Sequence, residues 1–417
     1  MSFFAIRSAT GLLAAALLAG VATSALAGEK AEVIHWWTSG SEAAAVKVIA
    51  NAYIKAGGEW IDNAIAGGGG DNARSVGINR IVGGNPPTAM QIVPGKQLDE
   101  FVANGYVRDI SALAAAGNWK AAIPALLWDS ITRDGKVYGV PIDLHGQTWS
   151  WWSIPALKKA GVDVPKTWDE FFPTLDKLKA AGIIPIAVSR DGWTIDSMWR
   201  FLMISKGGTD LFRKVYIDHD VNAMKSAAFR DVVETLFKMR AYSDPGASAR
   251  NWNDSTALVI NNTAGVQFMG DWAKGEFLNA HKQPMVDFAC TPAIGPNQGY
   301  VFGGDMFIVT ATKDPAMLKS QDLLVNTMMS KDIQVAFNLV KGSIPVRGDV
   351  DVSKVDPCGQ IGLKLMANPA NQVGDRDFYN SPDAIGAIQD LLATSWSKPD
   401  TSVDTFVAKF AEALSRQ

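Results

Sequence analysis

Glu32-Val33-Ile34-His35-Trp36-Trp37, then Thr38-Ser39-Gly40 and the run Ser41 to Ala56, decides the fold. The first six residues have the character of a strand. The run after them carries helical spacing and stops at Gly57-Gly58. The same alternation continues outward. Ala89 to Val93 is a second short strand, followed by a helix over Lys96 to Asn104 that Gly105 closes. Tyr138 to Leu144 is extended, and Thr167-x-x-Glu170 is a capping box opening a helix that ends at Gly182. A buried strand over Ile183 to Val188 follows, then helices near 197–206 and 227–242. Gly265 to Met269 and Met306 to Thr310 are later strands, and helices occupy 315–340 and 384 onward. Alternating strands and helices predict an α/β architecture with largely parallel sheets. In such sheets ligands bind beyond the carboxyl ends of the strands, where Trp36-Trp37 sits.

Composition narrows the class. Arg7, the apolar run Gly11 to Ala22 and Ser24-Ala25-Leu26-Ala27 form a secretory leader, cleaved after Ala27. That apolar run is too short to span a bilayer, which takes about 20 residues. Losing the leader removes one Arg and no acid, so the formal charge moves from −3 to −4. Evenly spread, mildly acidic charge leaves no footprint for nucleic acid or anionic membrane. Without residues 1–27 the 417-residue chain still exceeds what one core usually supports, which predicts two domains. Only Cys290 and Cys358 occur, and export to an oxidising compartment favours a disulfide between them.

Enzyme motifs are missing. The four His (His35, His145, His219, His281) show no metal spacing, and there is no Gly-x-Ser-x-Gly elbow. Gly67 to Gly70 lacks the ending of a phosphate loop and reads as a flexible turn. No cofactor or metal is expected, and no catalytic residue is assigned. A secreted glycoside hydrolase, which would need two facing carboxylates, is the enzyme alternative. What remains is a binding pattern. The 14 Trp are many, and several stand beside polar residues, which suits a ligand with flat apolar faces and a hydroxyl rim. Strand alternation places one of Trp36 and Trp37 in the core.

Seven short strings in order then carry a resemblance. They are Trp36-Trp37-Thr38-Ser39-Gly40-Ser41-Glu42; Gly67–Gly70 with Asn72-Ala73-Arg74; Gly84-Asn85-Pro86-Pro87 with Gln91; Val140-Pro141-Ile142-Asp143-Leu144-His145; Met269-Gly270-Asp271-Trp272-Ala273; Asp305; and Lys341-Gly342-Ser343-Ile344-Pro345-Val346-Arg347. Together they resemble the glucose/mannose-type solute-binding proteins of bacterial carbohydrate importers, collinearly from about Glu32 to Arg347. The resemblance implies a two-lobe periplasmic binding protein fold with a hinge and an interlobe cleft. The first lobe would be 28–141 plus about 306–345, and the second 142–305 plus about 346–417.

It also implies ligand contacts at Trp36, Trp37, Glu42, Gln91, His145, Trp272, Asp305 and Lys341. Lys341 and His145 would donate to hydroxyls, Asp305 and Glu42 accept, and Trp272 stack from the second lobe. The implied partners are a mono- or oligosaccharide and the ABC permease subunits of the inner membrane, served by a monomer in the periplasm. A chemoreceptor partner using the same site is the other non-enzymatic reading. Three departures stand out: Val93 and Gly146 replace polar or basic residues, and no His follows His281, where Arg376 or Asp377 would have to substitute. These departures predict a roomier, less basic pocket than a glucose site.

Overall fold

The computed structural model describes residues 29–297 and 299–416, so the expected leader lies outside the described residues. Glu29–His35 is an inner strand, paired in parallel with Gly58–Ala64 on one side and Ala89–Ile92 on the other. Ala31, Val33 and Ile34 are fully buried, as expected of a strand covered on both faces. Met306–Val309 and Gly139–Pro141 complete this five-stranded sheet. A four-stranded sheet is ordered Phe288–Thr291, Trp149–Ser153, Ala264–Met269, Ile184–Ile186. A small third sheet joins Gln372–Gly374, Tyr300–Gly303 and His145–Gly146.

The two larger sheets are mixed, not largely parallel. Each has one reversed strand: Met306–Val309 in the first and Trp149–Ser153 in the second, antiparallel to both neighbours. The reason is the path of the chain. Strands fed through a helix arrive from the far side of the sheet and end at its cleft edge. Met306–Val309 is entered from the cleft through Gly304-Asp305, and Trp149–Ser153 through the His145–Gly146 strand. Each must therefore run the opposite way.

Three passages of chain between the sheets lie side by side. Ile142 N–H donates to Asp305 O at 3.0 Å, and Asp305 N–H to Asp143 Oδ1 at 2.6 Å. Leu144 and Ile344 exchange main-chain bonds of 2.8 and 3.0 Å. Beyond Ile344 the chain stays with the first sheet's side, because Gly348 N–H donates to Ala122 O and Arg347 to Gly117 O.

Packing follows the pleat. On Trp149–Ser153, Trp149 and Trp151 stack at 5.5 Å on one face and join the core that runs under the first sheet. Trp152 points to the other face, into a second core with Phe171, Phe201 and Phe268. At the helix Trp168–Ala180, Thr167 Oγ1 accepts from Glu170 N–H at 3.3 Å. Glu170 reciprocates on Lys166 N–H, one residue further out than a capping box requires.

Cys290 and Cys358 form a disulfide across a sequence separation of 68 residues. It ties the edge strand Phe288–Thr291 to the helix Pro357–Met366, beside the Lys274–Asp356 ion pair. Chain-entropy arguments give a loop of this length about 4 kcal/mol of stabilisation. Reduction should lower the urea midpoint accordingly, and intact-mass measurement should show two hydrogens gained. Thiols that alkylate in the native, unreduced protein would rule the bridge out.

Candidate functional site

The carboxyl ends of the parallel strands and the starts of the two reversed strands face one another across a cavity of about 300 Å³. Trp36, Glu42, Val93 and Gln97 line it from the first sheet's side, and Gln147, Trp193, Trp252 and Trp272 from the second. The four half-buried indoles are Trp36, Trp193, Trp252 and Trp272. Trp193 and Trp272 lie 6.3 Å apart, and Trp272 meets His145 edge-on at 5.2 Å. Trp37 touches the cavity but is 1% exposed, packed against Phe307 and Phe337. Alternation thus put Trp36 on the wall and Trp37 in the core.

His145 is the most heavily paired group. Its Nδ1 donates to Asp271 Oδ1, and its Nε2 lies 3.2 Å from Asp143 and 3.3 Å from Asp305. Asp271 also accepts from Gly146 N–H at 2.8 Å. Burial opposes the imidazolium, but the Asp143 and Asp271 carboxylates outweigh it and hold His145 well above the usual histidine range. Burial raises Asp143, whereas for Asp305 the same penalty is overcome by hydrogen bonding to His145 and the level falls. Asp143, His145 and Asp305 place ligand atoms within 4.8 Å of one another, the composition of a metal set. The same three groups pair with one another as ions, His145 Nε2 lying between the two carboxylates.

Lys341 ends the helix Lys331–Lys341 and reaches Glu42 at 3.3 Å, with its ammonium 5.6 Å from the Trp37 ring. Glu42 also accepts from Ser39 N–H and hydroxyl, at 3.3 and 2.9 Å. Seven of the eight expected contact residues therefore line one cavity. The eighth, Gln91, is fully buried beneath it, and its Oε1 accepts from Trp36 N–H at 3.2 Å. Gln91 orients Trp36 and does not form the wall.

Sequence reading missed most of the opposite wall. Arg200 bridges Asp375 at 2.9 Å and Asp196 at 3.0 Å, and Arg376 pairs with Asp196. Asp375, Arg376 and Asp377 all face the cavity. Burial and the Asp375 carboxylate push Asp377 up to about 8. Asn251-Trp252-Asn253 and Asp191-Gly192-Trp193 had a visible signal, an indole among polar residues, but nothing in one sequence says which indoles converge. The two residues expected to enlarge the pocket fare differently, since Val93 lines the cavity and Gly146 does not. Gly146 is off the wall: a Cβ there would lie 2.3 Å from Tyr300 Oη and 2.4 Å from Trp149 Nε1, so that space is filled. Arg190, Arg200, Arg376, Lys341 and His145 all line the cavity.

Two mixed α/β units, joined by adjacent crossings and facing each other over an aromatic and polar cavity, define a two-lobe solute-binding protein. The chain belongs to the bacterial extracellular solute-binding proteins, whose family profile matches residues 80–356. It is 40% identical over 408 residues to a "probable sugar-binding periplasmic protein" of Brucella suis, covering 95% of each chain. A protein of the same name from Rhizobium meliloti is 39% identical, covering 86% of this chain and 85% of that one. Among solved structures it resembles a chitin oligosaccharide binding protein, with a TM-score of 0.77 at 17% identity over 93% of this chain and 98% of that one. It also resembles maltose-bound T. maritima MalE3, at 0.75 and 16% over 93% and 99%. These relatives are named as binding proteins and not as enzymes.

The raised His145 level has a sign. A folded-state value above the ordinary 6.5 stabilises fully below that value and is lost as pH climbs through the higher one. Asp305, being lowered, works oppositely and is lost only in strong acid. His145→Gln strands three buried carboxylates and should cost about 3–5 kcal/mol near pH 6, shrinking as the pH climbs through the raised His145 level. Urea melts of both proteins across that range check this; a penalty independent of pH would show that His145 is neutral.

Proposed function

We propose that the protein is a periplasmic receptor that grips a short sugar between its lobes and delivers it to the permease subunits of an ABC importer. The observation that carries this is the cavity. Indoles from both sides offer flat apolar faces, and acids, amides and cations between them offer hydroxyl partners. Relatives named as sugar-binding periplasmic proteins support the ligand class and the compartment. No helix of the described residues is long and apolar enough to cross a membrane. The first lobe takes residues 29–141 and returns at about 306. The bonds of Arg347 and Gly348 to the 117–122 segment support carrying its second part a few residues beyond about 345.

Sugar touching both lobes favours the closed arrangement over the open one, and that difference is what a permease reads. The walls also meet directly, since Ser41 donates to Glu276 through its N–H at 3.0 Å and its hydroxyl at 2.5 Å. A cavity of about 300 Å³ sits at the small end of the roughly 300–1,000 Å³ of ligand sites, so the cargo is one or two rings. That size admits glucose or mannose, and also a disaccharide or modified hexose.

A thermal-shift panel of hexoses, pentoses, sugar alcohols and disaccharides decides among them, because ligand at a hundred times its dissociation constant stabilises by about 2.7 kcal/mol. Finding no shift with any of them would remove the sugar from the reading. Trp36→Ala and Trp272→Ala should each weaken binding at least about tenfold by calorimetry while keeping a native circular dichroism spectrum. Trp37→Ala should instead cost about 3–5 kcal/mol of stability as a core truncation. If Trp36→Ala and Trp272→Ala both bind like the parent, these rings do not clamp the sugar.

A further inference from the structure

Gly67–Gly70 is a motif to which the preceding ligand chemistry gives no part. It follows the strand Gly58–Ala64 and lines the cavity along its whole length. All four residues have positive φ, at 101°, 64°, 60° and 111°. The run is also fixed in place. Gly70 is the N-cap of the helix Asp71–Val82, and Asn72 Nδ2 donates to Ala66 O at 3.0 Å. The turn expected from its composition is thus tied at both ends.

Its neighbours are two of the cavity's indoles, one on each side. A Cβ on Gly70 would lie 3.0 Å from the Trp36 ring, and one on Gly69 would lie 3.2 Å from the Trp193 ring. Trp193 opens the helix Gly192–Ser205, whose residues from Ile195 onward build the second core, while the Trp193 ring itself reaches across to the first. The bare main chain of the first lobe is therefore laid against a ring of the second. Any side chain at position 69 must push Trp193 away or hold the lobes apart.

We propose that Gly67–Gly70 is a specificity-determining wall, whose lack of side chains sets how closely the lobes shut on a bound ring and which rings are retained. The proposal rests on the receptor reading. Opening the cleft by a fraction of an ångström removes contacts made only in the closed state, so the effect falls on the dissociation rate. Position 69 is the better probe. Its φ of 60° and ψ of 24° lie in the left-handed region, which asparagine tolerates better than other side chains, so Gly69→Asn is the probe and a strain-matched control is needed. Gly84 is the control: its φ is 77°, a Cβ there meets nothing within 4 Å, and it is off the cavity wall.

The test uses the whole mature protein with D-glucose, D-xylose and maltose, by calorimetry and stopped-flow tryptophan fluorescence. For the sugar that the parent binds most tightly, Gly69→Asn should weaken binding at least about tenfold, mainly through faster dissociation, with Gly84→Asn, at a similar positive φ, within about twofold. In a Trp193→Ala background the same Gly69→Asn step should cost less than about threefold, because the opposing ring is gone. Gly69→Ala, read against Gly84→Ala, serves if the asparagine variant does not fold. Gly69→Asn binding like the parent, or an undiminished penalty without Trp193, overturns this inference alone. A parent that binds none of the three sugars overturns the receptor reading, and this inference with it.

Discussion

One protonated imidazole among three buried carboxylates is the constraint around which the rest is arranged. His145 stands on the strand His145–Gly146, Asp271 follows Ala264–Met269, and Asp305 precedes Met306–Val309. Asp143 lies on the first crossing and fixes the second through Asp305 N–H. The cluster therefore holds together the ends of both larger sheets and the passages between them. Taking such charges out of water costs several kcal/mol per ion, and only close pairing with full hydrogen bonding offsets it. The fold carries that cost where the ligand needs fixed polar groups.

The second wall repeats the device with different residues. Arg200 and Arg376 share Asp196, and Arg200 also donates to Asp375 and to the side-chain Oε1 of Gln147. Side chains paired in this way are held in place by one another. A ligand that meets groups already oriented loses less ordering entropy on binding.

Legibility in the sequence followed where local signals were strong. The strand through His35, the helix from Gly40 and seven wall residues could be read because a strand end, a cap and a chain of short strings point the same way. Gly58–Ala64 escaped because Gly-Glu-Trp-Ile-Asp-Asn-Ala is a polar edge strand that its neighbour alone stabilises. Trp149–Ser153 escaped because an all-buried run carries no alternation to see. Gly146 misled for a different reason. A missing side chain looks like added space, yet Tyr300 and Trp149 already occupy it. Arg376 and Asp377 could be named only as substitutes for a missing His, because the partners of their turn, Asp196 and Arg200, lie some 180 residues away in sequence.

The side-by-side crossings limit how the molecule can move. Ile142 is bonded to Asp305, and Leu144 to Ile344, so the passages form a narrow ribbon and not three independent strings. A ribbon bends readily about one line and resists both shear and torsion. Under the proposed receptor function, the lobes would then share a single swing, and every cargo that shut them would bring the outer faces to the same final alignment. Changes to the cavity would alter what is carried without altering the shape presented outside.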